Sequence, residues 1–216
     1  MSNLSFLPSI NNCTDILGNE ILNQEVSEEA YKSRVIETIP VEYRKSKFSD
    51  LPVNLKDIIC GKTDKKGFFI TGPAGTGKTF AAWGIYKYLN FIEESCYLVD
   101  FDTLIDSIQD SKFGKKSMFS LEEVEKYPGY LIIDDFGTKG ETAFTNSIIR
   151  RIISKRADWH RKTGFTSNLS EKEISDKFDD RIASRILGYY EIVRFDGKDI
   201  RLETTPECRQ KRLKSA

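Results

Sequence analysis

Gly67-Phe68-Phe69-Ile70-Thr71-Gly72-Pro73-Ala74-Gly75-Thr76-Gly77-Lys78-Thr79 is the stretch whose reading decides the fold. An apolar run leads into a glycine-rich turn, and the turn opens the apolar-rich segment from Phe80 to Leu89. That is the order strand, glycine loop, helix, and Gly72 to Thr79 matches GxxxxGK followed by Ser or Thr at every fixed position. Glycines let consecutive backbone N–H groups turn inward toward an anion, and the helix that follows points its positive dipole end at the same place. The pattern predicts that Gly72, Pro73, Ala74, Gly75, Thr76, Gly77, Lys78 and Thr79 cradle the phosphates of a nucleotide. Lys78 would reach the β- and γ-phosphates and the Thr79 hydroxyl would hold Mg²⁺.

A second stretch, Tyr130-Leu131-Ile132-Ile133-Asp134-Asp135, is an apolar strand that ends in two acids. Carboxylates so placed emerge at the carboxyl edge of a parallel sheet, where phosphate loops also sit. Magnesium prefers a carboxylate together with waters and phosphate oxygens, which suits Asp134. Asp135 is then the candidate base that polarises the attacking water.

Composition agrees with a soluble α/β domain. The chain has 216 residues, with Lys plus Arg and Asp plus Glu at 33 each, so any basic surface for nucleic acid must be local. No stretch reaches the ~18 consecutive apolar residues of a membrane helix, and the start lacks a charged region followed by an apolar one, so a cytoplasmic protein is expected. Cys13, Cys60, Cys96 and Cys208 are isolated from one another and form neither a CxxC metal pattern nor a disulfide framework.

Outside the two motifs the chain divides into an arm (1–40), a nucleotide-binding domain (41–203) and a basic tail (204–216). Ser27, followed by Glu28 and Glu29, starts a helix to about Ile36, in an arm that is either disordered or needs a partner surface. Val41 to Lys66 is a connector with a helical piece over Asn54 to Cys60; Phe48 and Leu51 are candidates to touch the bound base, or else are core. Ser95 to Val99 reads as a strand, and Asp102 or Thr103 as the cap of a helix over Leu104 to Gln109. Lys112, Lys115 and Lys116 lie in a polar loop, as solvated charge or as a binding patch.

Ser120 and Ser170 each begin a capping box. Thr142 to Arg161 is a basic amphipathic helix whose Arg150, Arg151, Lys155 and Arg156 either touch DNA or form a solvated face; His160 shows no sign of catalysis. A polar-ended strand at Thr163 to Asn168, a helix with Arg181 and Arg185 one turn apart, and a last strand at Tyr190 to Phe195 complete the order. The sum is a three-layer α/β fold around a five-stranded parallel sheet.

The ordered set GPAGTGKT, YLIIDDFG, FTSNLS, DRIASRIL and FDGKDIR resembles the AAA+ ATPases of the DnaC/DnaI helicase-loader and IstB transposition-helper group, over roughly Ile39 to Arg201. The resemblance implies a sensor role for Asn168 at the γ-phosphate or its water, and an arginine finger at Arg185 offered to the next subunit's ATP. It also implies that Arg201 stands in for the second sensor, with Arg181 as a helper. Guanidinium forks match phosphate oxygens and neutralise transition-state charge, so the chemistry fits those roles. A fold without a full C-terminal helical lid after the last strand is expected. The implied function is an ATP-dependent loader that contacts a replicative hexameric helicase through residues 1–40 and holds single-stranded DNA as a homo-oligomer on ATP or DNA. The alternatives are a transposase-helper ATPase on duplex DNA and a nucleotide-gated adaptor with little turnover.

Overall fold

The computed structural model describes residues 28–138 and 142–197. Five parallel strands lie in the order β2-β3-β4-β1-β5: β1 (Gly67–Thr71), β2 (Cys96–Asp100), β3 (Tyr130–Asp134), β4 (Thr163–Ser167) and β5 (Glu191–Arg194). Each residue of the three central strands β1, β3 and β4 is buried, whereas β2 and β5 at the edges are partly exposed. Strands covered on both faces need continuous apolar runs, which is how GFFIT and YLIID read.

Side chains alternate across the sheet with a period of two. Phe68, Ile70, Tyr130 and Ile132 enter one core with helices α1 (Glu28–Thr38), α2 (Val53–Ile59) and α3 (Lys78–Phe91). Phe69, Leu131, Ile133 and Phe165 enter the other, with α4 (Phe101–Lys112), α5 (Leu121–Lys126), α6 (Ala143–Asp158), α7 (Glu171–Lys177) and α8 (Asp180–Tyr189). The three-layer fold expected from the sequence is the fold observed. The surface that the first helix needs is supplied by the chain itself: Val35 and Ile39 are buried and α1 packs on α3.

Both capping boxes form, with Ser120 and Ser170 accepting from the N–H of Glu123 and Glu173. The cap of α4 is corrected. Asp100, the last residue of β2, accepts from Thr103 N–H at 2.9 Å, so the helix starts at Phe101 with no loop between strand and helix.

On the basic face of α6, Arg150 and Arg151 are exposed as a solvated face would have them, and Arg156 alone is corrected. Arg156 is fully buried and donates from its guanidinium to Thr163 Oγ1, Val124 O, Tyr127 O, Gly129 O and Lys162 O at 2.8–3.3 Å. Every donor direction of the fork is used, and the residue ties α6 to the entry points of β3 and β4. Burial pulls its pKa down to about 10, well above neutrality, so the charge is kept. Arg151 pairs with Glu125, Arg150 with Asp179, and Lys155 lies 5.5 Å from the centre of the Trp159 ring.

Candidate functional site

β1 lies between β4 and β5, and β3 lies beside β4, so the loop after β1 faces the carboxyl ends of β3 and β4. Two glycines make this loop sterically feasible. Gly77, the residue before α3, has φ of 94°, a left-handed conformation that suits glycine, and a Cβ at Gly72 would sit 2.2 Å from Phe195 O. The loop braces itself through Thr76 Oγ1, which donates to Pro73 O at 2.9 Å.

Lys78 is buried, and its ammonium donates to Gly72 O and Pro73 O at 2.8 Å and to Asn168 Oδ1 at 2.7 Å. The phosphate-loop lysine and the polar residue after β4 are thus in direct contact across the sheet edge. An ammonium has three protons, so a phosphate oxygen arriving here takes the place of one of these acceptors.

Thr79 Oγ1 donates to Asp134 Oδ1 at 3.3 Å, and Thr166 Oγ1 donates to the same oxygen. Burial pushes the Asp134 carboxyl above the usual aspartate range; the Thr166 hydrogen bond opposes this and the nearby Asp135 charge adds to it. A hydroxyl and a carboxylate side by side are the hard oxygen donors that Mg²⁺ takes, and a buried carboxylate charge is what a cation there would offset. The residues present therefore fit the ion. Asp135 has φ of 52° and, with Asn168, is among the residues that line the cleft.

The cleft has a volume of about 460 Å³. Ala74, Gly75, Gly77, Lys78 and Thr79 form its phosphate end, and Glu42, Tyr43 and Phe80 form a wall. Tyr43 lies nearly parallel to Trp83, with ring centres 6.0 Å apart. Of the two readings of Phe48 and Leu51, base contact or core, the core reading holds. Phe48 stacks on Tyr88 at 3.8 Å and Leu51 is buried in the α3-side core, so neither lines the cleft. The connector does reach the site, but through the short 3₁₀ turn Val41–Tyr43.

Lys78, Thr79, Asp134, Asp135 and Asn168 come together at one edge of the sheet. Arg185 does not join them: it pairs with Asp158 on α6 at 3.1 Å, outside the cleft. Arg181 is exposed on α8. Arg201 lies outside the described residues. Thr166 lies in the polar-ended stretch FTSNLS, where the sequence alone assigns it no role, and a polar residue near the end of a strand beside an acid-ended strand is the signal that marks it.

Loop, helix and acid-ended strand, set in a five-stranded parallel sheet, make a phosphate-loop NTPase-like α/β fold. In sequence the chain is similar to proteins named replicative helicase loader DnaC, and in fold it is similar to DnaC and DnaI. The replicative helicase loader DnaC of Buchnera aphidicola subsp. Acyrthosiphon pisum is 28% identical over 125 residues, covering 55% of this chain and 49% of the relative. DnaC of Escherichia coli (strain K12) is 24% identical over 121 residues with the same coverage. The chain spans about half the length of these curated relatives.

Among solved structures, a DnaC helicase loader matches with a TM-score of 0.63 at 17% identity, over 73% of this chain and 100% of that one. DnaI matches with a TM-score of 0.60 at 20% identity, over 74% and 93%. AMPPCP-bound DnaA from Aquifex aeolicus matches with a TM-score of 0.58 at 16% identity, over 77% of this chain and 55% of DnaA. These likenesses concern the fold. No family model matches the chain. Among the described residues, no helix is long and apolar enough to cross a membrane.

Proposed function

We propose that this protein is an ATP-dependent loader of a replicative hexameric helicase, which binds ATP and Mg²⁺ in the cleft and holds single-stranded DNA as an oligomer. The observation that carries the nucleotide half is the meeting of Lys78, Thr79, Asp134, Asp135 and Asn168 at one sheet edge. The loader half is supported by relatives that are themselves named replicative helicase loaders.

The residues divide the work as follows. Lys78 meets the β- and γ-phosphates with its ammonium, while Thr79 and Asp134 hold Mg²⁺, which neutralises phosphate charge when bound. Asp135 polarises the attacking water and Asn168 orients it or the γ-phosphate. Arg185, directed away from its own cleft, serves the site of a neighbouring subunit, and Arg201 adds a second positive charge. Helicase contact belongs to residues 1–40. Because residues 28–39 pack on the domain, a truncation that spares the core removes only what precedes Glu28.

The test is loading itself: a hexameric replicative helicase is offered protein-coated circular single-stranded DNA, and the helicase retained on the circle is measured. Retention that requires this protein, ATP and Lys78 supports the proposal. Absence of helicase binding, together with a preference for duplex DNA, would favour a transposase helper. Helicase binding without turnover would favour an adaptor.

A further inference from the structure

Thr166 is the penultimate residue of β4 and is fully buried. β3 and β4 run in register with Ile133 opposite Phe165, so the next pair sets Thr166 level with Asp134. The Thr166 hydroxyl donates to Asp134 Oδ1 and accepts from the backbone N–H of Asp135 at 3.0 Å. A hydroxyl has one proton and two lone pairs, and an N–H can only donate, so the proton must point at the carboxylate.

The same strand end holds the next residue. Thr166 O accepts from Phe136 N–H, and Ser167 Oγ donates to Phe136 O, each at 2.7 Å. Four hydrogen bonds from two residues thus fasten the segment from Asp134 to Phe136. At its centre Asp135 adopts φ of 52°, a left-handed conformation that few residues other than glycine, asparagine and aspartate adopt. Asp135 is among the residues that line the cleft, and the Phe136 ring, 2% exposed, anchors the turn in the core.

We infer that Thr166 is a positioning residue for both acids, fixing Asp134 beside Thr79 at the metal position and, through the Asp135 amide, setting the direction in which the Asp135 carboxylate enters the cleft. The inference rests on the nucleotide reading above. Both threonine protons converge on Asp134 Oδ1. The Thr79 lone pairs and the second carboxylate oxygen then serve as hard donors for the ion. One buried hydroxyl therefore couples metal capture to base alignment, two functions carried by adjacent residues.

The test compares Thr166→Val, which keeps the shape and loses the hydroxyl, with Thr166→Ser, which keeps the hydroxyl and loses the methyl, both in the full chain. Without nucleotide, amide hydrogen exchange at Asp135 should accelerate by roughly 10-fold or more in the Val variant, the equivalent of one lost hydrogen bond, and stay near wild type in the Ser variant. Mg²⁺-free ATP should bind the Val variant normally, because the loop and Lys78 are untouched. The Mg²⁺ needed for half-maximal hydrolysis should rise about 10-fold and kcat should fall roughly 10–100-fold, with KM for ATP changing little.

A packing role predicts the opposite pattern, with Val tolerated and Ser impaired. That result, or a Val variant with wild-type exchange, Mg²⁺ requirement and kcat, overturns the inference. A wild-type chain that binds no ATP overturns the nucleotide reading instead. In that case unchanged Asp135 exchange in the Val variant overturns the linkage itself.

Discussion

Replacing Asp134 with Asn should make the nucleotide-free protein more stable and the nucleotide-bound protein less so. The carboxylate sits in a residue only 7% exposed, with hydroxyl donors from Thr79 and Thr166 and with Asp135 and Asp100 as like charges nearby. Its raised pKa means that burial, with the charges of Asp135 and Asp100, outweighs the two hydrogen bonds, so the charge is held at a cost. Asn keeps the shape and an acceptor oxygen while removing that charge, a change worth about 1 kcal/mol, or about 2–4 °C in Tm for a chain of this size.

The sign with pH follows. A folded pKa above the unfolded one means that the native state binds the proton more tightly, so this contribution to stability grows as pH falls from the raised value toward the ordinary aspartate range. The variant lacks that slope. With Mg²⁺ and ATP at 100 times Kd, the wild type should gain about 2.7 kcal/mol, or roughly 5–10 °C, and the variant less than half of it. Thermal unfolding at several pH values, with and without Mg²⁺ and ATP, reads both effects. A variant that is less stable than wild type without ligand, or that gains the full shift with it, would refute the assignment of Asp134 as a charge held ready for a cation.

Arg156→Met should cost about 3–5 kcal/mol, seen as a Tm lower by roughly 10 °C or more, because four backbone carbonyls and Thr163 lose their shared donor. Arg150→Ala, which breaks an exposed pair with Asp179, should cost less than about 1 kcal/mol in the same melt. Tyr43→Ala should weaken ATP binding by roughly 10-fold in a fluorescence titration while leaving binding of inorganic triphosphate nearly unchanged, since Tyr43 lines the wall away from the phosphate loop. Lys78→Ala and Arg185→Ala should each lose DNA-stimulated hydrolysis, and a mixture of the two should regain part of it. A monomeric Arg185→Ala protein with normal hydrolysis would remove the finger from this residue.

The central strands were legible because β1, β3 and β4 are covered on both faces and must be apolar throughout. The phosphate loop and its acids were legible because each is a local pattern with fixed spacing. What escaped depends on contacts distant in sequence. Asp100, Asp102 and Thr103 can all cap a helix, and only the direct passage from β2 into α4 selects Asp100. Arg156 occurs among basic residues at helical spacing, and its burial is set by carbonyls from α5 and from the turns before β3 and β4. Tyr43 is placed by its packing on Trp83, forty residues further on, and Thr166 by the register of β4 on β3.

The most direct test of the central claim is calorimetric titration of ATP into the full chain, with and without Mg²⁺, for the wild type and Lys78→Ala. The expected result is one site in the wild type that tightens with Mg²⁺, and loss of that site in a Lys78→Ala protein whose unliganded fold is intact by circular dichroism. Absence of binding in the wild type, or equal binding with Lys78 removed, would contradict the assignment of the cleft between Tyr43 and Asn168 as the ATP site.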